Sequence, residues 1–282
     1  MNAKSILIII GGSIFLQVLL SPLRAFLPIE LESIFGFLSC FLYAWVCNSK
    51  FRNKFASGYI VAIVICGILL IQMPIRIMSF SSTVMTLPDM LIHILGALTF
   101  YFFKNLKGYN KYLAVILLFT IPAFMALKGY DLWRNKLDNN TFFGRTSMKE
   151  KVEFMGIDAF GKTIHNATFN SKFAVLNFWF IGCKPCLEEF PELERFSKKY
   201  KNNPQVSIYA VNLPTKFDEE KDAFKLLTSK GYTFSSFTID TNFKTNPFAI
   251  KSCPTTIILN KNGEIIFKGQ LALSEKYLSE NL

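Results

Sequence analysis

The sequence predicts an all-α transmembrane bundle of about five helices, followed by an α/β domain with a mixed central sheet. The chain of 282 residues is 51% hydrophobic, with a mean hydropathy of +0.31, which is too apolar for a soluble protein. Residues 1–130 hold ten Lys/Arg and three Asp/Glu, whereas residues 131–282 hold twenty-one and seventeen. The hydrophobic pattern also changes near residue 130, from long apolar runs to short segments. We therefore expect a transmembrane domain over 1–130, a linker over 131–150 and a second domain over 151–282.

Five apolar runs in the first domain are candidates for membrane-spanning helices. A helix needs about 20 apolar residues to cross the hydrocarbon core. The first and third runs reach this length and the second is marginal. The fourth and fifth are shorter and need tilt or uncharged neighbours to span. The runs are residues 5–23, 33–49, 55–75, 90–103 and 112–127.

Basic residues between these runs predict the orientation of the bundle. Lys and Arg accumulate in loops that stay in the cytoplasm. Two of the loops carry only Arg24 and Arg76, while the amino terminus and the other two loops are richer in lysine. The formal net charge of +11 is therefore assigned to membrane orientation and not to nucleic-acid binding. We expect a multi-pass protein of the cytoplasmic membrane, in contact with lipid, with residues 131–282 outside. The predicted cytoplasmic basic residues are Lys4, Lys50, Arg52, Lys54, Lys104, Lys107 and Lys111.

The second domain alternates strand and helix patterns. Residues 172–180 form a near-continuous apolar and aromatic run, typical of a strand buried on both faces. Apolar residues then recur at helical spacing from Leu187 to Phe196, which predicts an amphipathic helix. Such an order, with a hairpin near the end, predicts an α/β domain. The predicted elements are strands over 172–180, 206–212 and 235–240, helices over 186–200 and 218–230, and a hairpin formed by 255–259 and 264–268.

The chemistry of this domain is concentrated in the tetrapeptide CKPC, residues 183–186, where the buried strand gives way to the helix. The positive end of a helix dipole favours the thiolate form of a cysteine. We therefore expect Cys183 to be exposed and ionised, and Cys186, one turn further on, to be buried. Lys184 adds positive charge beside the first thiol. The pair predicts a redox-active disulfide, in which Cys183 attacks a substrate disulfide and Cys186 resolves the mixed disulfide.

Two other interpretations of the tetrapeptide remain open. A zinc site needs two further ligands, but Cys253 is solitary and His165 lies far away in the sequence. A purely structural disulfide seldom lies on a strand-to-helix turn. The prediction is therefore a dithiol site without a metal or cofactor.

The sequence around CKPC resembles the thioredoxin-like oxidoreductases, specifically the membrane-anchored TlpA/ResA-type redoxins. The resemblance rests on NFWFIGCKPCLEEFPEL at residues 177–193, SCPTTIILNKNGEIIFKG at 252–269 and IDAFGKT at 157–163, and it covers about residues 150–282. It implies that Pro254 is a cis-proline facing the two thiols and that Glu189 is the acidic residue found near the site. It also implies activity on extracytoplasmic protein disulfides, including those of apocytochromes c.

Two residues depart from the thioredoxin pattern. Gly182 stands where thioredoxins commonly carry Trp, so an aromatic wall beside the nucleophile is missing. Asn177 replaces the buried acid and cannot exchange a proton with Cys186. Glu189 is then the nearest candidate proton carrier. The alternative is a solvated acid that complements the helix dipole.

Ionisable and thiol side chains also occur within the predicted spans. Cys40, Cys47 and Cys66 are candidates for a transmembrane thiol relay, although free cysteine is more often a small buried apolar residue. Asp89 and His93 share one helix face at the outer end of the fourth span. They predict a quinone or proton site, and solvation at the membrane interface is the alternative.

The leading functional hypothesis is a membrane-anchored thiol-disulfide oxidoreductase that serves cytochrome c maturation or redox homeostasis. Its expected partners are protein thiols and disulfides, membrane lipid and a membrane redox partner, but no nucleic acid. The alternative is a membrane transport or assembly protein with a redox-sensing adaptor domain. Cys253 is a candidate auxiliary thiol that would protect Cys183 from overoxidation. Its alternative role is a small apolar contact.

Overall fold

The computed structural model describes residues 3–146, 151–219, 221–240 and 247–282. Contacts divide the chain into two compact units, Met1–Trp133 and Arg134–Leu282. The first unit is helical and the second is built on a mixed sheet. This is the fold class that the sequence predicts.

The first unit contains helices long and apolar enough to cross a membrane. Among the residues that the structure describes, five segments meet this criterion, as predicted. The fourth, for which hydropathy was weakest, is Phe80–Asn105 and includes the short helix α4. The helices are α1 (Ala3–Leu20), α2 (Ile29–Phe51), α3 (Ser57–Met78), α4 (Phe80–Thr83), α5 (Leu87–Asn105) and α6 (Tyr109–Phe124).

Small residues let these helices approach closely. A Cβ on Gly96 of α5 would lie 2.2 Å from the carbonyl oxygen of Phe37 in α2. A Cβ on Gly67 of α3 would lie 2.6 Å from the Ser13 side chain in α1, and the Ser13 hydroxyl donates to the Val64 carbonyl at 2.8 Å. Close backbone approach at small residues, supplemented by hydrogen bonds, is how apolar helices associate where water supplies no driving force.

The fifth span continues into the segment that the sequence assigns to a linker. A π-helical turn at Met125–Gly129 joins α6 to helix α7 (Tyr130–Asn139). The prediction of a linker from residue 131 is therefore wrong for its first nine residues. Those residues are polar overall, but Tyr130 is buried and the Trp133 indole donates to the Val84 carbonyl at 3.1 Å. A largely polar segment can be helical when one of its faces packs against the rest of the protein.

The second unit is organised around a seven-stranded sheet of order β2-β1-β5-β4-β3-β6-β7. The central strands β3, β4 and β5 are parallel, and the remaining pairs are antiparallel. The predicted central strands and the final hairpin are present within about one residue of their expected ends. The strands are β1 (Met155–Asp158), β2 (Thr163–His165), β3 (Phe173–Trp179), β4 (Val206–Asn212), β5 (Ser235–Ile239), β6 (Thr255–Leu259) and β7 (Ile265–Gly269).

Strand β3 lies between two hydrophobic cores, and its side chains point alternately into one and the other. Val175 and Trp179 belong to the core that also contains Phe190 of helix α8 (Lys184–Tyr200). Leu176 and Phe178 belong to the core on the other side. Since successive side chains of a strand point to opposite faces, odd-numbered residues of β3 face α8.

The remaining helices of this unit differ from the sequence prediction. Helix α9 (Asp222–Ser229) begins later than the predicted 218, because Asp218 accepts a hydrogen bond from the Thr215 amide at 2.7 Å in a preceding turn. Helix α10 (Leu271–Asn281) was not predicted, and it buries Leu271 and Leu278.

A segment before residue 151 also belongs to the second unit. The Lys268 amide donates to the Gly144 carbonyl at 2.8 Å, and the Thr146 amide donates to the Ile266 carbonyl at 3.3 Å. Arg145 thereby forms an isolated β-bridge with Phe267 of the edge strand β7. A Cβ on Gly144 would lie 2.1 Å from the Phe267 ring, so the segment at Gly144 packs directly against β7.

Candidate active site

The two cysteines of CKPC lie where β3 ends and α8 begins. After Trp179 the chain turns through Gly182, which has φ of +87°, and the Cys183 amide donates to the Phe180 carbonyl at 3.1 Å. Glycine adopts this backbone conformation at no steric cost, which a tryptophan would not. The departure at position 182 thus has a local structural reason.

The structure shows the oxidised form of this pair. Cys183 and Cys186 form a disulfide with a Cα–Cα distance of 5.3 Å. Cys183 is the N-cap of α8, and its Sγ accepts from the Cys186 amide at 3.3 Å. Amides at the start of a helix have no backbone acceptor within the helix, so in the reduced protein the Cys186 amide would stabilise a thiolate at Cys183 Sγ. The geometry therefore favours ionisation of Cys183 once the disulfide is reduced.

Burial of the first cysteine differs from the sequence prediction. Cys183 is 3% exposed and Cys186 is fully buried, in the core that includes Trp179. The expectation of an exposed, ionised Cys183 is wrong for the oxidised state. The disulfide holds its sulfur against the first turn of α8, and a disulfide sulfur has no proton to lose.

Glu189 is held beside this helix start by the residue that replaces the usual acid. The Asn177 side-chain amide donates to Glu189 Oε2 and to Thr256 Oγ1, each at 3.0 Å. Asn177 and Thr256 are register partners in β3 and β6, and both are buried. Because α8 places positions three apart on one face, Glu189 lies one turn beyond Cys186 on the same side. Asn177 therefore positions a carboxyl group next to the buried thiol.

The environment of Glu189 favours its protonated form. Burial raises the pKa of this carboxyl above its ordinary value, and the hydrogen bond from Asn177 offsets only part of that effect. A half-buried carboxyl with a raised pKa is a stronger proton acceptor than an ordinary glutamate, which suits it to exchange a proton with a nearby thiol. The interpretation as a solvated first-turn acid does not fit this burial.

Lys184 lies on the surface, with a side chain that is 87% exposed. Its Nζ is 3.8 Å from Glu188 Oε1, one turn further along the helix. An exposed pair of this kind is screened by water, so its stabilising effect is small. The arrangement leaves Lys184 as a weak contributor to the field at Cys183.

Cys253 and Pro254 lie in the loop before β6. The peptide bond between them is cis, and Cys253 packs against the core that contains both active cysteines. Burial raises the pKa of the Cys253 thiol to about 11. At neutral pH it is therefore a thiol and a poor nucleophile. These observations favour the interpretation of Cys253 as a small apolar contact.

In the described ranges of the chain, CKPC is not part of a group of side chains suited to a metal ion. His165 caps a short helical turn, where its Nδ1 accepts from the Ala167 amide at 3.2 Å. Among the described residues, the group of side chains suited to a metal ion consists of Glu32, Asp89 and His93, which lie in the bundle.

The bundle residues differ in their surroundings. Cys40 and Cys47 are buried and Cys66 is exposed on the bundle surface, and all three are free thiols. Asp89 and His93 are 0% and 1% exposed, so solvation at an interface, the alternative for this pair, is wrong. The neighbouring acid Glu32 is also fully buried, although the predicted second span began just after it.

The fold and the dithiol define a thioredoxin-like oxidoreductase. The family model described as thioredoxin-like matches residues 170–265. The thiol-disulfide oxidoreductase ResA of Bacillus subtilis is 31% identical over 133 residues, which cover 45% of this chain and 71% of that protein. ResA of Halalkalibacterium halodurans is 29% identical over 157 residues, which cover 54% and 83%. A solved thioredoxin domain from Bacteroides vulgatus is 20% identical, with a TM-score of 0.43, and the match covers 48% of this chain and 98% of that domain.

The chain belongs to the ResA family of thiol-disulfide oxidoreductases. The family assignment implies protein thiols and disulfides as substrates. It rests on the second unit, since the family model begins at residue 170.

Proposed function

We propose that this protein is a multi-pass enzyme of the cytoplasmic membrane whose redox domain exchanges disulfides outside the cytoplasm. The observation that carries the proposal is the Cys183–Cys186 disulfide at the start of α8, with Glu189 held one turn away by Asn177. The five apolar helices support the membrane anchor, and the alternating lysine counts support the orientation.

The first step is attack by the Cys183 thiolate on one sulfur of a substrate disulfide. A new bond forms between Cys183 Sγ and that sulfur, while the substrate bond breaks and its other sulfur leaves as a thiolate. The free amides at the start of α8 stabilise Cys183 as the anion. Lys184 adds a screened positive charge, and Pro254 borders the site on the side of β6. The product is a mixed disulfide between enzyme and substrate.

The second step is resolution by Cys186. This thiol is buried, so it ionises only when a base accepts its proton, and we assign that role to Glu189. The Cys186 thiolate attacks Cys183 Sγ, the mixed disulfide breaks, and the second substrate sulfur leaves as a thiolate. The enzyme is left as the Cys183–Cys186 disulfide seen in the structure. Run in reverse, the same steps oxidise a substrate dithiol.

We further propose disulfides of apocytochromes c as one substrate class, with a membrane redox partner that resets the dithiol. The family resemblance supports this choice. The prediction that separates it from general redox homeostasis is loss of holocytochrome c in a deletion strain. Restoration by the parent gene but not by Cys183→Ser would support the proposal, and normal holocytochrome c in the deletion strain would contradict it.

The roles of the two cysteines are tested by trapping. In cells, Cys186→Ser should accumulate mixed disulfides with extracytoplasmic proteins, because the first step proceeds and the second cannot. Cys183→Ser should not, because its remaining thiol is buried. Equal trapping by both variants would reverse or remove the assigned roles. A reporter at the carboxy terminus that is active only in the cytoplasm would contradict the orientation.

A second candidate function is transport or assembly, with the redoxin as a sensing adaptor. The observation that favours it is the buried charged cluster in the bundle, which disulfide exchange does not need. Reduction of insulin by the full chain in detergent separates the two functions. An enzyme reduces many equivalents of insulin per chain, whereas an adaptor need not reduce more than one. Cys66→Ser is the matched control, since it removes a surface thiol outside the redox unit.

A further inference from the structure

Glu32, Asp89 and His93 form a buried group inside the bundle. His93 Nε2 lies 3.3 Å from Asp89 Oδ1 and 3.8 Å from Glu32 Oε1, and one ligand atom from each residue lies within 4.8 Å of the others. All three side chains are at most 1% exposed. Residues 1–130 contain three acids, and two of them are in this group. Charged groups are costly in such surroundings and mark functional sites.

A chain of hydrogen bonds fixes which nitrogen of His93 carries a hydrogen. Arg76 can only donate, and its Nη2 donates to Gln72 Oε1 at 3.1 Å. Gln72 therefore turns its Nε2 to Gln17 Oε1, at 2.6 Å. Gln17 Oε1 is then the acceptor for His93 Nδ1, at 2.9 Å. Since Nδ1 must donate, the neutral ring presents the lone pair of Nε2 to the two carboxylates.

This arrangement places three electron-pair donors around one point. Within the part of the chain that the structure describes, His93 Nε2 makes no hydrogen bond. A Cβ at Gly36 of α2 would lie 1.8 Å from Nε2, so glycine at this position makes room for the His93 ring. A metal ion bound at about 2.1 Å to nitrogen and oxygen ligands in tetrahedral geometry separates neighbouring ligands by about 3.4 Å. The distance from Nε2 to Asp89 Oδ1, 3.3 Å, matches this value, whereas the distance to Glu32 Oε1, 3.8 Å, is somewhat longer.

We propose that Glu32, Asp89 and His93 bind one divalent transition-metal ion of the Zn²⁺, Mn²⁺ or Fe²⁺ class. One imidazole and two carboxylates suit these ions, because such ligands combine intermediate and hard donors. The two carboxylates supply anionic oxygen ligands, which divalent cations favour. The site is separate from the dithiol chemistry and does not depend on it.

The surroundings of the group support a metal site with an open coordination position. Ser33 Oγ donates to Asp89 Oδ1 at 2.9 Å and also contacts the Tyr130 hydroxyl. Gln17 orients the imidazole. Hydrogen bonds of this kind to ligating side chains are typical of metal sites. A cavity of about 410 Å³ adjoins the group, lined by Glu32, His93 and the polar side chains Gln17, Gln72, Arg76 and Thr86. Three protein ligands and an adjoining cavity leave a position for water or a small ligand.

The experiment measures metal binding by the full chain, purified in detergent with an affinity tag that contains no histidine. Co²⁺ is the probe, because its visible absorption reports coordination by protein ligands. We expect about one Co²⁺ per chain after desalting, and competition by Zn²⁺. Glu32→Gln, Asp89→Asn and His93→Gln should each lower the affinity about 100-fold or more, since each removes a ligand.

Matched controls are available for both residue types. Glu30→Gln removes an acid two positions before Glu32 on the same helix, and His165→Gln removes the second histidine of the chain. Both should bind Co²⁺ as the parent does. Gln17→Ala keeps all three ligands but removes the partner of Nδ1, so affinity should fall about 10- to 100-fold even if a ligand variant fails to fold.

Failure to bind Co²⁺, Mn²⁺ or Zn²⁺ in the parent would overturn the proposal. Equal binding by the parent and the three ligand variants would also overturn it.

Discussion

Asn177→Asp tests how strongly position 177 and Glu189 interact. The substitution preserves the shape of the side chain but replaces the amide donor with a carboxylate. Asn177 Nδ2 and Glu189 Oε2 are now 3.0 Å apart, so an Asp oxygen at the same place would face another carboxylate oxygen. Position 177 is fully buried, so water does not screen this contact, and we expect the two carboxylates to relax to about 4 Å apart.

The expected effect on stability depends on pH. Two full charges about 4 Å apart repel by about 4 kcal/mol at the effective dielectric constant of about 20 that suits protein sites. The folded variant should avoid this repulsion by retaining one proton that the unfolded chain releases. A carboxyl whose folded pKa is raised gives stability that is present at low pH and is lost as pH rises. The free energy of unfolding should therefore fall by about 1.4 kcal/mol per pH unit relative to the parent, to a loss of about 4 kcal/mol near pH 7.

The assay is urea unfolding of a fragment of residues 134–282 between pH 4 and pH 8. The chain has three tryptophans, and this fragment contains one of them, Trp179. Its indole is fully buried and packs edge-on against Phe190, with ring centroids 5.1 Å apart. Fluorescence therefore reports unfolding of the core beside the active site.

Asn212→Asp is the matched control. Asn212 lies at the end of the neighbouring strand, is also buried, and accepts from the Thr238 hydroxyl at 3.4 Å instead of contacting a carboxylate. The loss of unfolding free energy in Asn212→Asp therefore reports the effect of burying a new acid without a neighbouring carboxylate. If the two variants lose stability with the same pH dependence, Glu189 is not coupled to position 177 and its proposed positioning is refuted.

Three further predictions concern single side chains of the redox unit. Glu189→Gln should fold as the parent does but slow the resolution of the mixed disulfide, which stopped-flow thiol quenching measures; unchanged kinetics between pH 5 and 9 would return Glu189 to a structural role. Glu194→Gln should cost about 1–3 kcal/mol of unfolding free energy near pH 7, because Glu194 accepts from the Thr233 hydroxyl and two backbone amides. Burial alone would raise the pKa of Glu194, but these hydrogen bonds outweigh burial and lower the pKa. The stabilisation that Glu194 gives is therefore present above the ordinary pKa range of glutamate and is lost as pH falls. The free energies of unfolding of the parent and the variant should accordingly become equal at acid pH. Cys253→Val should leave insulin reduction and peroxide inactivation at parental levels, because the buried thiol stays protonated; faster inactivation of the variant would instead establish Cys253 as a protective thiol.

The central strands were predictable because their environment is uniform. Strand β3 is buried on both faces, so nearly every residue is apolar and the run ends where the burial ends. Helix α8 was equally clear, since a solvent-exposed face alternates with a buried one. Helix α10 gives a weaker signal because Ser274, a polar residue, is one of the few that it buries.

The candidate site was predictable only in part. The two cysteines follow from a motif and its place between strand and helix. The contact of Asn177 with Glu189 and Thr256 depends on the register of β3 against β6, which no local pattern specifies.

The bundle shows the same limit more clearly. A charge normally ends a predicted span, so the sequence predicts a second span that begins at residue 33 and excludes Glu32. A buried acid is tolerated only when other helices supply its partners, here His93 from α5. Those partners are separated by about 60 residues in the sequence and become neighbours only through helix packing.

The pairing of Gly144–Thr146 with β7 has a consequence for the solubility of fragments. An unpaired edge strand offers free amides and carbonyls to other chains and promotes aggregation. A fragment that begins at Lys151, the predicted domain boundary, lacks Gly144–Thr146 and would uncover this edge. A fragment that begins at Arg134 keeps both the segment and the Asn135 side chain, which donates to the Thr141 and Phe142 carbonyls just before it. In sedimentation experiments, we expect the fragment that begins at Lys151 to self-associate as its concentration rises. The fragment that begins at Arg134 should remain monomeric.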